Sequence, residues 1–338
     1  MSSNVEYLMR EGQRCIAVDG VDCTGKGSVT SLMEKNLTNE DREFMRVEFP
    51  QYDLPSGAMI KAYLEGKYGD FSRRLQIPVG AESASEWVAL TMGRMENTLH
   101  DMDYIAHLYA LNRVEWFRTV YPNISAEKVI VFDRFYYSNL IHILSPFMNW
   151  IMSPAGKDLM TVEWRSSFFH DSMTAGEYIQ KRVLHAATRI ADKWEAYEHQ
   201  NGVVYPYHFI LLLNEDSVRE RLSQRKIAKQ VEHDIHEEGS NLHFACEFLS
   251  APQFAPIRNK IMAAKYIPVA PFGTNNLGIA EEIVELYDKA RENGIPTLYF
   301  NYMNNETGKL EIPDEEDDVD MDIEEFGELL AQVKGGDL

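Results

Sequence analysis

Residues 14–28 read RCIAVDGVDCTGKGS. An apolar run, RCIAVDG (14–20), has the length and composition of a buried strand and breaks at Gly20. From Gly25 the pattern changes to GKGSVTSLMEKNL (25–37), a helix with Val29, Leu32, Met33 and Leu37 on one face. Between the two elements, Gly20, four residues and Gly25-Lys26 spell G-x-x-x-x-G-K. A glycine loop joining a strand to a helix N-terminus is built to wrap phosphate oxygens with backbone N–H groups, and the helix end adds about half a positive charge. The expected ATP cradle is Gly20, Asp22, Cys23, Thr24, Gly25, Lys26, Gly27 and Ser28, with Lys26 reaching the β- and γ-phosphates. The alternative is a glycine-rich turn with an exposed lysine. The full pattern wants Ser or Thr after the lysine, and position 27 is glycine, so Ser28 is left to supply the hydroxyl.

Working outward, further strands are expected at EFMRVEFP (43–50), KVIVFDR (128–134), YHFILLLN (207–214) and YIPVAP (266–271). Helices are expected at SGAMIKAYLEG (56–66), YIAHLYALNRVEWFRTVY (104–121) and GIAEEIVELYDKAREN (278–293). The VIVF run within KVIVFDR is apolar throughout, as in a sheet covered on both faces. Alternating strands and helices give an α/β fold with a parallel five-stranded sheet of the P-loop NTPase type and helices on both faces. The fold domain is expected over 1–296. It carries an aromatic-rich, helical insertion at 144–186, then a hairpin at 297–312 and an acidic tail at 313–338.

The chain of 338 residues carries a net charge of −20, which argues against general affinity for nucleic acid. More than half of that charge is local: Glu306–Leu338 holds 13 Asp/Glu against 2 Lys/Arg. The tail reads first as a disordered solubilising segment. Its second reading is a partner-binding or self-docking helix, with Ile323, Phe326, Leu329 and Leu330 on one face. No apolar run is long enough for a membrane span, and the first residues lack a signal peptide's apolar stretch. Three scattered cysteines fit a reducing, cytoplasmic compartment. The insertion's Trp150, Trp164, Phe168 and Phe169 are expected to pack on the body or, slightly favoured, to build a homodimer interface.

The G-K-G-S variant resembles several nucleoside monophosphate kinases, in which magnesium is held by phosphates and water. Four more segments, in order, resemble the thymidylate kinase family: Asp22 in DGVDCTGKG, then FPQYDLPSGAMIKAYLEGKYG (49–69), LYALNR (108–113) and DRFYYSN (133–139). A weaker fifth is the basic stretch RERLSQRKIAKQVEHDIHEE (219–238), similar to the family's lid. The resemblance covers about 14–143 and 205–293. It implies transfer of the γ-phosphoryl group of ATP, with Mg²⁺, to dTMP or a related deoxynucleotide.

By that resemblance Lys26, Asp133, Arg134, Arg221 and Arg225 are the catalytic candidates, with Lys229 a further lid cation. Acceptor contacts fall to Asp22, Tyr52, Tyr109, Arg113, Arg134 and Ser138. Asp133 and Ser28 would meet the metal, mostly through water. The residue types suit these roles. An aromatic and an arginine at i and i+4 share a helix face and can stack on a flat base while bonding its edge. An Asp-Arg pair at a strand's C-terminal end sits where α/β sheets bind ligands. Plainer readings stand beside these: Tyr109 in the core, Arg113 paired with Glu115 or Asp103, Asp133-Arg134 a strand-end ion pair, and the 219–229 cations a solvated face. Three positions depart from the family. Phe135 stands for Tyr, Tyr52 for a phosphate-binding Arg, and Ile143 for a polar residue near the base, which suits a bulkier 5-substituent. The rival functions are a kinase for modified dUMP or for deoxynucleotides broadly, and a catalytically weak homologue serving as a binding module.

Overall fold

A computed structural model describes residues 8, 10–36, 43–65, 103–141, 163–165, 172–174, 197–229, 239–250, 263–270 and 275–312. Its centre is a five-stranded, wholly parallel sheet: β1 (Cys15–Asp19), β2 (Phe44–Glu48), β3 (Val129–Asp133), β6 (Tyr207–Leu212) and β7 (Ala264–Pro268), in the order β2-β3-β1-β6-β7. Two short strands, β4 (Glu163–Arg165) and β5 (Ser172–Thr174), pair antiparallel in a separate ribbon. The helices are α1 (Lys26–Asn36), α2 (Pro55–Leu64), α3 (103–119), α4 (136–141), α5 (Glu215–Lys229), α6 (Gly239–Ser250) and α7 (Asn276–Glu292). This is an α/β architecture around a wholly parallel sheet, as the alternating pattern required.

Burial follows position in the sheet. β1 and β3 are buried at every residue and β6 at all but its last, whereas the edge strands β2 and β7 are only partly covered. Side-chain alternation assigns the two faces. Phe132 packs on Trp116 and Phe117 of α3, while its neighbour Asp133 meets Thr30 of α1 on the other side. On β6, Tyr207 contacts Tyr287 of α7, and His208 points oppositely, toward Phe135 and Tyr137. Among the described residues, α1 and α7 thus cover one face and α3 and α4 the other.

Two expectations shift in detail. The described part of the 144–186 insertion is the β4–β5 ribbon, not helix. The rest of the insertion, Ile143, residues 66–69 and the tail at 313–338 lie outside the described residues. At the C-terminal end, Thr297–Tyr302 is a 3₁₀ helix, where an extended strand was expected. Thr297, Phe300 and Met303 are its buried positions, a spacing of three that turns one face inward. Phe300 sits edge-on against Tyr207 and Phe209. Only a single antiparallel bridge, Met303 to Leu310, closes the turn that follows. No helix among the described residues is long and apolar enough to cross a membrane.

Candidate functional site

The C-terminal ends of β1 and β3 meet the N-terminus of α1, and the charged residues of the sequence motif gather there. The loop bends through positive φ at Gly20 (140°), Cys23 (63°) and Gly25 (101°). At Gly20 a Cβ would also lie 2.8 Å from the Leu211 carbonyl oxygen, so glycine is required twice over. Thr24 is buried and ties the loop to itself, its hydroxyl donating to Val21 O at 2.9 Å.

Lys26 begins α1 and is buried. Its Nζ donates to Gly20 O at 2.9 Å and Val21 O at 2.6 Å and lies 3.9 Å from Asp22 Oδ1. Burial, with the Arg134 charge beside it, holds this ammonium below the usual lysine value. Arg134, with φ at 66°, turns its guanidinium back onto Asp22 Oδ1. That carboxylate is the main reason the Arg134 pKa is raised, against the effect of burial. The structure therefore brings Asp22, Lys26 and Arg134 into one cluster.

Beneath the cluster lies Asp19, fully buried at the end of β1. Its Oδ1 accepts from Phe135 N (2.8 Å), Ser138 N (3.1 Å) and Ser138 Oγ (2.6 Å). Oδ2 faces His208 Nδ1 at 3.3 Å. Burial alone would raise the Asp19 pKa, but these donors outweigh it and keep the carboxylate below its usual value. Burial also holds His208 below the ordinary histidine value, against the pull of Asp19. Ser138 was expected at the acceptor; its hydroxyl is spent on Asp19 and lies 3.4 Å from Gly20 N, so it braces the loop from below.

Asp133 at the end of β3 is buried, and its Oδ2 takes donors from Arg46 on β2 and, at 3.4 Å, from Thr30 Oγ1 on α1. Ser28, the expected hydroxyl, lies exposed on α1, and the hydroxyl brought to Asp133 belongs to Thr30. A Cβ at Gly27 would lie 3.1 Å from Asp133 Oδ2. Neither Thr30 nor Arg46 was singled out in the sequence, although Thr30 lies one helical turn beyond Lys26, the spacing that shares a face.

On α3, Tyr109 and Arg113 are both buried, as an i, i+4 pair on the covered face. The Arg113 guanidinium pairs with Glu198, not with Glu115 or Asp103: Nε donates to both carboxylate oxygens at 3.0 and 3.1 Å, and Nη2 to Oε1. Nη1 is buried with no hydrogen-bond partner among the described residues. Its carbon lies 5.5 Å from the ring centres of Phe135 and Tyr136. Glu115 instead caps α2 from outside, accepting from Ser56 N at 3.0 Å and from Ser56 Oγ. Asn112 pins the preceding loop through Gln51 N (2.8 Å) and Gln51 O (3.1 Å). Phe135 is fully buried and stacks on Phe132 at 4.7 Å, with the His208 ring 5.7 Å away. Tyr52 is 44% exposed on the loop after β2.

From α5, Arg221 reaches over the loop, donating to Cys23 O (3.3 Å), Thr24 O (3.5 Å) and Ala270 O (3.2 Å). Arg225, one turn on, is half-buried. The side chain of Lys229 lies outside the described residues. No group of three or more His, Cys, Asp or Glu is gathered for a metal among the described residues. Asp22 and Asp133 are the carboxylates beside this end of α1.

No protein-family model matches the chain, and no curated protein matches it in sequence. Among solved structures, a thymidylate kinase from Candida albicans, described as broad in substrate specificity and as having a novel structural element, aligns over 82% of this chain and 92% of its own. The identity is 16% and the TM-score 0.45. So slight a likeness assigns no residue a role.

Proposed function

We propose that the chain is a nucleoside monophosphate kinase of the thymidylate kinase kind, passing the γ-phosphoryl group of ATP to dTMP or a related deoxypyrimidine monophosphate. The observation that carries this reading is the cluster of Lys26, Asp22 and Arg134 at the loop's mouth, two cations sharing one carboxylate at the head of α1. Phosphoryl transfer asks for positioning and charge neutralisation and little covalent chemistry from the protein. The loop amides and the α1 N-terminus bind the donor phosphates. Lys26, held by two carbonyls and with its pKa lowered by burial, gains a far better partner when a phosphate arrives. Arg134 exchanges Asp22 for the acceptor's phosphate. An oxygen of that phosphate attacks the γ-phosphorus, and the β–γ bridging oxygen leaves with ADP. Arg221, already over the loop, adds positive charge where the transferred group carries negative. Mg²⁺ bound by the nucleotide would neutralise phosphate charge there, with Asp133 touching its water shell.

The acceptor base lies by Tyr109 and Arg113. Glu198 fixes two guanidinium nitrogens, leaving Nη1 as the donor offered to a base carbonyl. The test is ADP release with ATP-Mg²⁺ and dTMP, dUMP, 5-hydroxymethyl-dUMP, dCMP, dGMP, AMP or thymidine, with Lys26→Ala as control. Turnover confined to dTMP and its 5-substituted relatives is expected. ATP binding with no turnover on any acceptor would refute the kinase reading in favour of a binding module.

A further inference from the structure

Glycine at 27 and arginine at 46 meet at Asp133. A Cβ at position 27 would lie 3.1 Å from Asp133 Oδ2 and 3.3 Å from Arg46 Nη2. Both distances are too short for a side chain unless the pair gives way. Arg46 stands on the edge strand β2, in register with Val131, two positions before the pairing of Glu48 with Asp133. Its Nη2 donates to Asp133 Oδ2 and lies 3.5 Å from Glu48 Oε2, and its Nε is buried without a hydrogen-bond partner among the described residues. Thr30 Oγ1 lies 3.4 Å from the same Oδ2, but its one hydrogen has a nearer acceptor in Lys26 O at 3.0 Å. That oxygen already accepts from the guanidinium, whereas a metal ion needs bare lone pairs. A guanidinium also keeps its charge at every working pH and repels a second cation.

We propose that Gly27 and Arg46 act as a unit in which the guanidinium takes, on Asp133, the place that a divalent ion would fill. Asp133 then binds no metal directly, and the ion that enters with the nucleotide is held by phosphates and water. Arg46 is a positioning residue in this scheme, fixing the carboxylate's orientation. The missing side chain at 27 is the room the pair occupies. The inference rests on the kinase reading above and goes beyond it in assigning residues that the loop motif leaves out.

The experiment is Mn²⁺ binding to the full chain, read from the free-ion electron paramagnetic resonance signal, alone and with a non-hydrolysable ATP analogue. The variants are Arg46→Met, Arg46→Gln, Gly27→Ser and Gly27→Ser/Arg46→Met, each checked for folding by thermal melting. Removing the Arg46 charge is expected to tighten Mn²⁺ binding about tenfold, the usual size of a neighbouring-residue effect on a metal site. Arg46→Gln, which keeps hydrogen bonding to Asp133, gains as well and decides the matter if Arg46→Met does not fold. Gly27→Ser alone gains nothing, because its hydroxyl meets Arg46, and the double variant gains more than Arg46→Met. Unchanged or weaker Mn²⁺ binding in both neutral Arg46 variants overturns the proposal, as does a full gain from Gly27→Ser alone. Analogue binding with Mn²⁺ affinity indifferent to Arg46 sinks this inference and leaves the kinase reading standing. Failure of the wild type to bind the analogue sinks both.

Discussion

Glu198 is the residue whose replacement tells most about the acceptor pocket. It is fully buried, as is Arg113, and its two oxygens hold Nε and Nη2 of the guanidinium. Glu198→Gln keeps the shape and removes the charge, leaving a buried guanidinium uncompensated. Breaking one side of such a pair costs roughly 3–5 kcal/mol. Replacing both residues by apolar ones of similar size is often neutral or stabilising, so Arg113→Met/Glu198→Leu is expected to recover most of that loss. Function should divide differently. The double variant lacks the Nη1 donor, and a charge-assisted hydrogen bond is worth about 1.5–3 kcal/mol. Conversion at about 1.4 kcal/mol per decade gives a fall in kcat/KM for dTMP of roughly ten- to a hundredfold. Urea unfolding at neutral pH reads the first quantity and the ADP-release assay the second. A double variant as unstable as Glu198→Gln would show that the two charges are not each other's compensation. A double variant with wild-type kcat/KM would show that Nη1 does not face the base.

Ser138→Ala loses the 2.6 Å bond to Asp19 and is expected to cost about 1 kcal/mol of stability. Because that hydroxyl braces the loop, its KM for the acceptor should stay unchanged while its unfolding midpoint falls; the reverse pattern would put Ser138 at the substrate. Lys26→Ala removes the buried cation of the loop, and a loss of about a hundred- to a thousandfold in kcat is expected, as for other preorganised electrostatic groups. Lys265 donates to Asn301 O at 3.0 Å and to Met303 O, and burial lowers its pKa to about 8. Between about pH 8 and the ordinary lysine value the unfolded chain binds the extra proton, so this residue's contribution to stability rises with pH across that window. Urea midpoints compared with Lys265→Met over pH 7–10 check the sign. Cys15 is fully buried with its thiol pushed up to about 12, so iodoacetamide at pH 8 should leave it unlabelled until the chain unfolds.

The sheet and its main helices were legible because each rests on a local pattern. VIVF is apolar through its length and is fully buried in β3; the 3.6-residue stripe at 26–36 is α1. The loop was legible for the same reason: its glycines and lysine are contiguous, and their φ values and hydrogen bonds are settled within a few residues. The C-terminal segment misled because the aromatic-rich run TLYFNY suits a strand, whereas burial at every third residue against β6 selects a 3₁₀ turn. The carboxylate that pairs with Arg113 was beyond reach altogether. Glu198 lies 85 residues away, in a stretch with no motif of its own, whereas the nearby acids had plausible spacing and lost to tertiary placement.

The same distinction explains why Gly27 looked like a defect in the motif. Read along the chain, glycine after the loop lysine is a missing hydroxyl. In the fold, Arg46, 19 positions later and on another strand, lies beside that space, and its guanidinium would have to give by a few tenths of an ångström to admit a Cβ at 27. A side chain at 27 would press on the Arg46–Asp133 pair, so the two positions are read together. A consequence follows for engineering the loop. Gly27→Ser, which restores the common pattern on paper, should lower stability in the Arg46 background and lose that penalty when Arg46 is shortened to Met. Additive effects in that double-mutant cycle, measured by urea unfolding, would show that the contact does not couple the two positions.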